Sequence, residues 1–318
     1  MSPEECTSRP VLARLAVPSK QPAAGSSPAR RTKPNPQASG ARYRWSVAGL
    51  TRRSRVAVLF CFAFLILGAA GCSGHSTTPG HPPAASQSVT VHPVNGRFTV
   101  TIDGKALQEA TAAGVNLPAL IARALAHINA LLPGPGSPIT VGYARPSALI
   151  EQAGVAGFTH PLTAHITTSF GATPQVSTGE ALRFWFPRDL AHEVNHAVRI
   201  LNGPGFGPAL LQQLISEGIA TAFDQAAFPG PADPWTHAIT QTQECALWEK
   251  AEPQLGYTSF YDAWMLGGYG IPHWTGFTIG YHIVNQYRSH HSGVSWAALT
   301  SASAEAILAG SHYQPCPR

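Results

Sequence analysis

Two histidines four residues apart, with a glutamate beside the first, make His192-Glu193-Val194-Asn195-His196 the stretch of this sequence best suited to chemistry. On a helix, residues i and i+4 lie one turn apart, so both imidazoles project from one face and reach a single metal ion. Glu193 is then placed to take a proton from an attacking water, the work of a general base. Zinc suits such a pair because it accepts neutral imidazole nitrogen and brings no redox chemistry. Leu190, Val194, Ala197 and Val198 supply the apolar face of a buried helix, with Pro187 near its start and Gly203-Pro204 beyond its end.

Two histidines leave a hydrolytic zinc site one protein ligand short. Glu217 in LLQQLISEGIATAFDQ is the candidate: it lies 21 residues after His196, on a second helical segment beyond a Gly-Pro-rich turn that lets the two helices pack antiparallel. A solvated carboxylate is the bland reading, and the apolar neighbours Leu214, Ile215 and Ala220 weigh against it. Asp224, seven residues on, is placed either to orient a ligand histidine from behind or to sit on the surface as an ordinary acid.

The elements that must hold these residues are legible as periodicities. Alternation in SVTVHPVNGRFTVTID, with Asn95-Gly96 at its centre, predicts a β-hairpin. A helix is predicted over 117–132, stopped by Pro-Gly-Pro-Gly, and short strands over 139–143, 165–169 and 181–186. The remainder reads as helices over 187–201, 208–228, 235–252, 259–265, 274–289 and 296–309. Strands first and helices afterwards predict an α+β domain rather than a parallel βαβ fold.

HEVNH followed by SEGIA resembles the gluzincin metallopeptidases, and PHWTGFTIGYHIVNQY (272–287) with AEAILAGSHY (304–313) resembles a bacterial family described as predicted zinc-dependent proteases, domain of unknown function 2268. The likeness runs from about His160 to Tyr313. It implies a mostly helical, zincin-like domain after the predicted hairpin and small sheet, and it supports the ligand set of His192, His196 and Glu217. It also implies a donor for the oxyanion that forms when water attacks a carbonyl. Tyr281 and His273 are the candidates, since the resembling block places them together; the competing reading for Tyr281 is a helix face packed in the core.

Charge separates the chain into an address and a domain. The net charge is +5, but residues 1–71 hold 11 of the 21 basic residues and only two of the 16 acidic ones, leaving 10 basic against 14 acidic in the rest. A basic composition of that origin gives no case for nucleic-acid binding. Arg52, Arg53 and Arg55 precede the apolar run VAVLFCFAFLILGAA, which is too short for a membrane span of about 20 residues but fits the core of an export signal. The Ala69-Ala70-Gly71-Cys72 that follows resembles a lipoprotein cleavage site, with Ala69 where leucine is commoner. The predicted organisation is a lead-in over 1–46, a signal peptide over 47–71, lipid-bearing Cys72 with a Ser/Pro/Gly linker to 87, and a domain over 88–318. An uncleaved anchor or plain secretion, and export by a general or a twin-arginine route, are alternatives. Cys6 and Cys61 depart with the signal, leaving Cys245 and Cys316 either to form a disulfide in an oxidising compartment or to remain free thiols.

These observations point to zinc-dependent hydrolysis of a protein or peptide substrate at the outer face of a membrane. A non-catalytic metal-containing lipoprotein that binds a partner or envelope component, and a hydrolase of a non-peptide amide, are the other classes left open. An intact Glu193 weighs against the first of these, because a structural metal site needs no base.

Overall fold

Alternation around Val89 builds β1 (Val89–Val91), which pairs antiparallel with β2 (Thr99–Ile102) in the register Val89 to Ile102. This computed structural model describes residues 88–91, 97–258 and 261–316, so the expected Asn95-Gly96 turn, the signal, Cys72 and the linker to residue 87 lie outside the described residues. Asp103 then accepts hydrogen bonds from the amides of Lys105 and Ala106 and caps α1 (Gly104–Ala112). This helix leaves little apolar pattern in the sequence, because its buried stripe is only Ala106 and Ala110. Asn116 caps α2 (Leu117–Leu131), whose Leu117, Ile121, Leu125 and Ile128 face inward at helical spacing.

The sheet is completed by β3 (Pro138–Tyr143), β4 (Val155–Thr159) and β5 (Ile166–Phe170) in the order β1-β2-β3-β5-β4. Both β2 with β3 and β3 with β5 are parallel, and β4 runs antiparallel to β5 as an edge strand. The fold is α+β, yet α1 and α2 form a crossover between parallel β2 and β3, a connection that the expected segregation of strands from helices did not anticipate. β4 went unread because VAGFT is short, with Gly157 at its middle.

The strand expected over 181–186 is corrected. Ser177 caps α3 (Thr178–Glu180), which continues through a π turn (Ala181–Trp185) into α4 (Phe186–Asn202). Ala181, Leu182, Trp185 and Phe186 are the buried residues of this stretch, a helical rather than alternating pattern. Pro187 has no N–H to close an α-turn onto the previous one, and the widened π turn accommodates that loss.

The helical half comprises α5 (Leu210–Ala227), α6 (Gln241–Ala251), α7 (Tyr261–Met265), α8 (Thr275–His290), α9 (Trp296–Ser301) and α10 (Ala304–Ser311). Two expected helices are shorter or divided. The one over 235–252 starts late, where Thr240 and Gln243 form a capping box. The one over 296–309 is split by Ser303, which caps α10, while buried Arg199 of α4 donates to the carbonyls of Thr300 and Ala302 freed by the break. Cys245 and Cys316 are joined in a disulfide that ties the chain beyond α10 to α6.

One apolar cluster joins the sheet to α1, α2 and α4, and a second joins α5 to α10. α4 and α5 stand where the two meet. α5 also crosses α8 at backbone contact: a Cβ at Gly218 would lie 2.2 Å from the Gly280 carbonyl oxygen.

Candidate metal centre

α4 carries His192 and His196 one turn apart, and α5 returns beside it with Glu217. His192 Nε2 lies 3.1 Å from His196 Nε2 and 3.2 Å from Glu217 Oε2, and His196 Nε2 lies 3.4 Å from the same oxygen. Three side chains from two helices thus aim three ligand atoms at one point. Zinc bonds such atoms at about 2.0–2.1 Å, and tetrahedral angles then separate neighbouring ligand atoms by about 3.3 Å. The observed triangle fits that ion.

The atoms behind the triangle set its chemistry. His192 Nδ1 lies 3.2 Å from Asp224 Oδ2, and His196 Nδ1 lies 3.2 Å from Ser216 Oγ. With Nδ1–H donating to these oxygens, each ring in its neutral form would turn an Nε2 lone pair towards a metal in the triangle. Asp224 stands on α5 two turns beyond Glu217, so one helix face supplies both the ligand and the orienting acid. Behind it, Arg188 pairs with Asp233 at 2.9 Å and with Asp224 at 3.7 Å. Gln225 donates to Asp233, and the Tyr281 hydroxyl donates to Gln225.

Burial works against charge throughout, and the outcome depends on partners. It opposes ionisation of Glu217, but His196 and His192 beside it hold that carboxyl well below the usual range. It opposes protonation of His192 too, yet hydrogen bonds to Asp224 and Glu217 raise its pKa well above that of a free imidazole. His196, more exposed to the burial effect than to its partners, goes down. Burial pushes Glu193 up to about 8 against the opposing His192, with the Asp189 carboxylate adding to the rise. Asp233 is likewise pushed up to about 8 by burial and by Asp224, despite Arg188.

Residues 163–309 match the family described as "Predicted Zn-dependent protease (DUF2268)". The matched region spans α4, α5 and α8, and so contains all three triangle residues and Glu193. Among curated proteins, none matches the chain.

Not every sequence candidate meets at the triangle. Tyr281 hydrogen-bonds Gln225 at 3.0 Å, on the outer side of the network behind His192. His273 is exposed and stacks on Trp274, with ring centroids 4.3 Å apart. The tyrosine that does reach a residue of the triangle is Tyr261, whose hydroxyl donates to Glu217 Oε1 at 2.8 Å. Phe206, between Gly205 and Gly207 with their positive φ of 76° and 75°, sets its ring 5.5 Å from His196 and 5.7 Å from Tyr261. On the sheet side, Thr159 contacts Glu193 and Thr168 donates to Asp189. None of these five is legible in the sequence, because each is a common residue type outside any spaced motif. Among the described residues the other cluster of ligand-type side chains, Cys245, Glu249 and Cys316, has its two sulfurs bonded to each other and offers no thiolate.

Proposed function

We propose that this protein hydrolyses peptide bonds, with His192, His196 and Glu217 holding zinc and Glu193 as the general base. The observation that carries the proposal is the triangle of ligand atoms, 3.1–3.4 Å apart, with Glu193 adjoining it on the same helix. Zinc bound there would act as a Lewis acid towards a carbonyl and make water acidic enough to deprotonate near neutrality. Glu193 takes the proton from the attacking water and delivers it to the leaving amine. Tyr261 is the tyrosine that supports this role best: turned from Glu217 Oε1 to the substrate, its one proton would stabilise charge on the carbonyl oxygen. β4 is the edge of the sheet, so an extended chain adding to its outer side would pass Glu193 as it lay along the strand.

The experiment pairs zinc content with activity on a peptide library. Wild type is expected to hold about one zinc per chain and to cleave; Glu193→Gln is expected to keep the zinc and lose activity by roughly 10²–10⁴-fold, the usual worth of a positioned base. Full activity in Glu193→Gln would sink the mechanism.

The same proposal places the protein at the outer face of a membrane, held by lipid on Cys72. What supports this is the Arg-flanked apolar run before Ala-Ala-Gly-Cys and the polar linker after it. Cys72→Ser should move the protein from the membrane fraction to the soluble exported fraction and abolish incorporation of labelled palmitate. Unchanged membrane retention without label would refute the lipid anchor.

A further inference from the structure

Alternate residues of a strand point to the same face, so Val155, Gly157 and Thr159 share one side of β4. That side lies against α4 at Glu193. A Cβ at Gly157 would sit 2.5 Å from Glu193 Oε1 and 2.8 Å from Asp189 Oδ1, so the Glu193 carboxyl occupies space that any other residue here would fill. Two residues on, the Thr159 hydroxyl lies 2.6 Å from Glu193 Oε2 and 3.0 Å from the backbone carbonyl oxygen of Glu193. Both residues are buried, so water is not a ready substitute for either contact.

A hydroxyl has one proton to give and two lone pairs to offer, whereas a carbonyl oxygen only accepts. The Thr159 hydroxyl therefore has two settings. It donates to the Glu193 carboxylate, the nearer acceptor, or to the backbone carbonyl of the same residue. One side chain thus ties the Glu193 carboxyl to its own backbone.

We propose that Thr159 is a positioning residue for Glu193, holding the carboxyl over the Gly157 gap. The inference rests on the reading of Glu193 as the base. A general base that wanders by about 1 Å forfeits on the order of 10²-fold in rate, which is what such a tether prevents.

The test uses Thr159→Val, which keeps the shape and removes the hydroxyl, with Thr159→Ser as the conservative rescue. In zinc-loaded protein, Thr159→Val is expected to lower kcat by about 10–100-fold with KM and zinc content unchanged, and Thr159→Ser to recover most of it. Wild-type kcat in Thr159→Val overturns the proposal while leaving Glu193 as the base. Activity surviving in Glu193→Gln would instead overturn the reading beneath it. The contact is also measured without turnover, by thermal unfolding of Thr159→Val, Glu193→Ala and the double variant. Their Tm losses are expected to fall short of additivity by about 2–4 °C, and additive losses overturn the tether.

Discussion

Glu217→Gln is expected to give a folded protein that no longer retains zinc. The substitution keeps the volume of a residue that is only 3% exposed, and its amide oxygen still accepts from Tyr261, so the core between α4 and α5 has no cavity to absorb. What goes is the anion. Two neutral imidazoles remain, and a neutral amide oxygen is a poor substitute for a carboxylate at a dication. Structural zinc sites bind with about 10–16 kcal/mol, and forfeiting a quarter to a third of that, about 3–5 kcal/mol, lowers affinity by roughly 10²–10⁴-fold. Elemental analysis after dialysis against a weak chelator, beside circular dichroism to verify the fold, is the measurement. Wild-type zinc retention in Glu217→Gln would show that the third ligand lies elsewhere. Loss of both zinc and fold would show that Glu217 is chiefly the counter-charge of His192 and His196.

The contrast between what the sequence disclosed and what it concealed follows sequence distance. His192, Glu193 and His196 were legible because a helix converts a spacing of four directly into a shared face. Glu217 was legible because a tight helical hairpin brings its segment back against that face. Thr159 and Tyr261 touch the same site from 34 and 44 residues away, across elements whose relative placement no local pattern encodes. Tyr281 illustrates the converse: a tyrosine in a block of the right kind, whose hydroxyl is directed to Gln225 by the way α8 packs on α5. Among the elements, α2, α5 and α8 were readable from their apolar stripes, whereas α1 buries two alanines and β4 is five residues around a glycine. The stretch 181–186 failed for another reason: six mostly apolar residues satisfy both periods, and the cap at Ser177, upstream of the run, decides for helix.

Gly280→Ala should destabilise the protein, although helix propensity alone argues the opposite. Replacing glycine by alanine inside a helix stabilises it by about 1 kcal/mol, and Gly280 lies in the middle of α8. Packing decides the sign. A Cβ at Gly280 would stand 2.0 Å from the Leu214 carbonyl oxygen and 3.2 Å from the Gly218 amide nitrogen, both backbone atoms of α5 that no rotamer change moves aside. The helices must therefore part, reopening a contact inside the second core, and overpacking of this kind costs about 1–3 kcal/mol or more. A net loss of about 2 kcal/mol lowers Tm by about 4–8 °C in a domain of this size. The displacement also falls where it matters chemically, because Glu217 precedes Gly218 in the chain and any retreat of α5 from α8 shifts the carboxylate against His192 and His196 on α4. Zinc affinity should consequently fall along with Tm, by about 10-fold, the lower end of what disturbed support around a metal ligand costs. A rise in Tm would mean that propensity prevails and that the α5–α8 contact yields without strain. A fall in Tm with unchanged zinc affinity would separate the packing of α5 on α8 from the aim of Glu217.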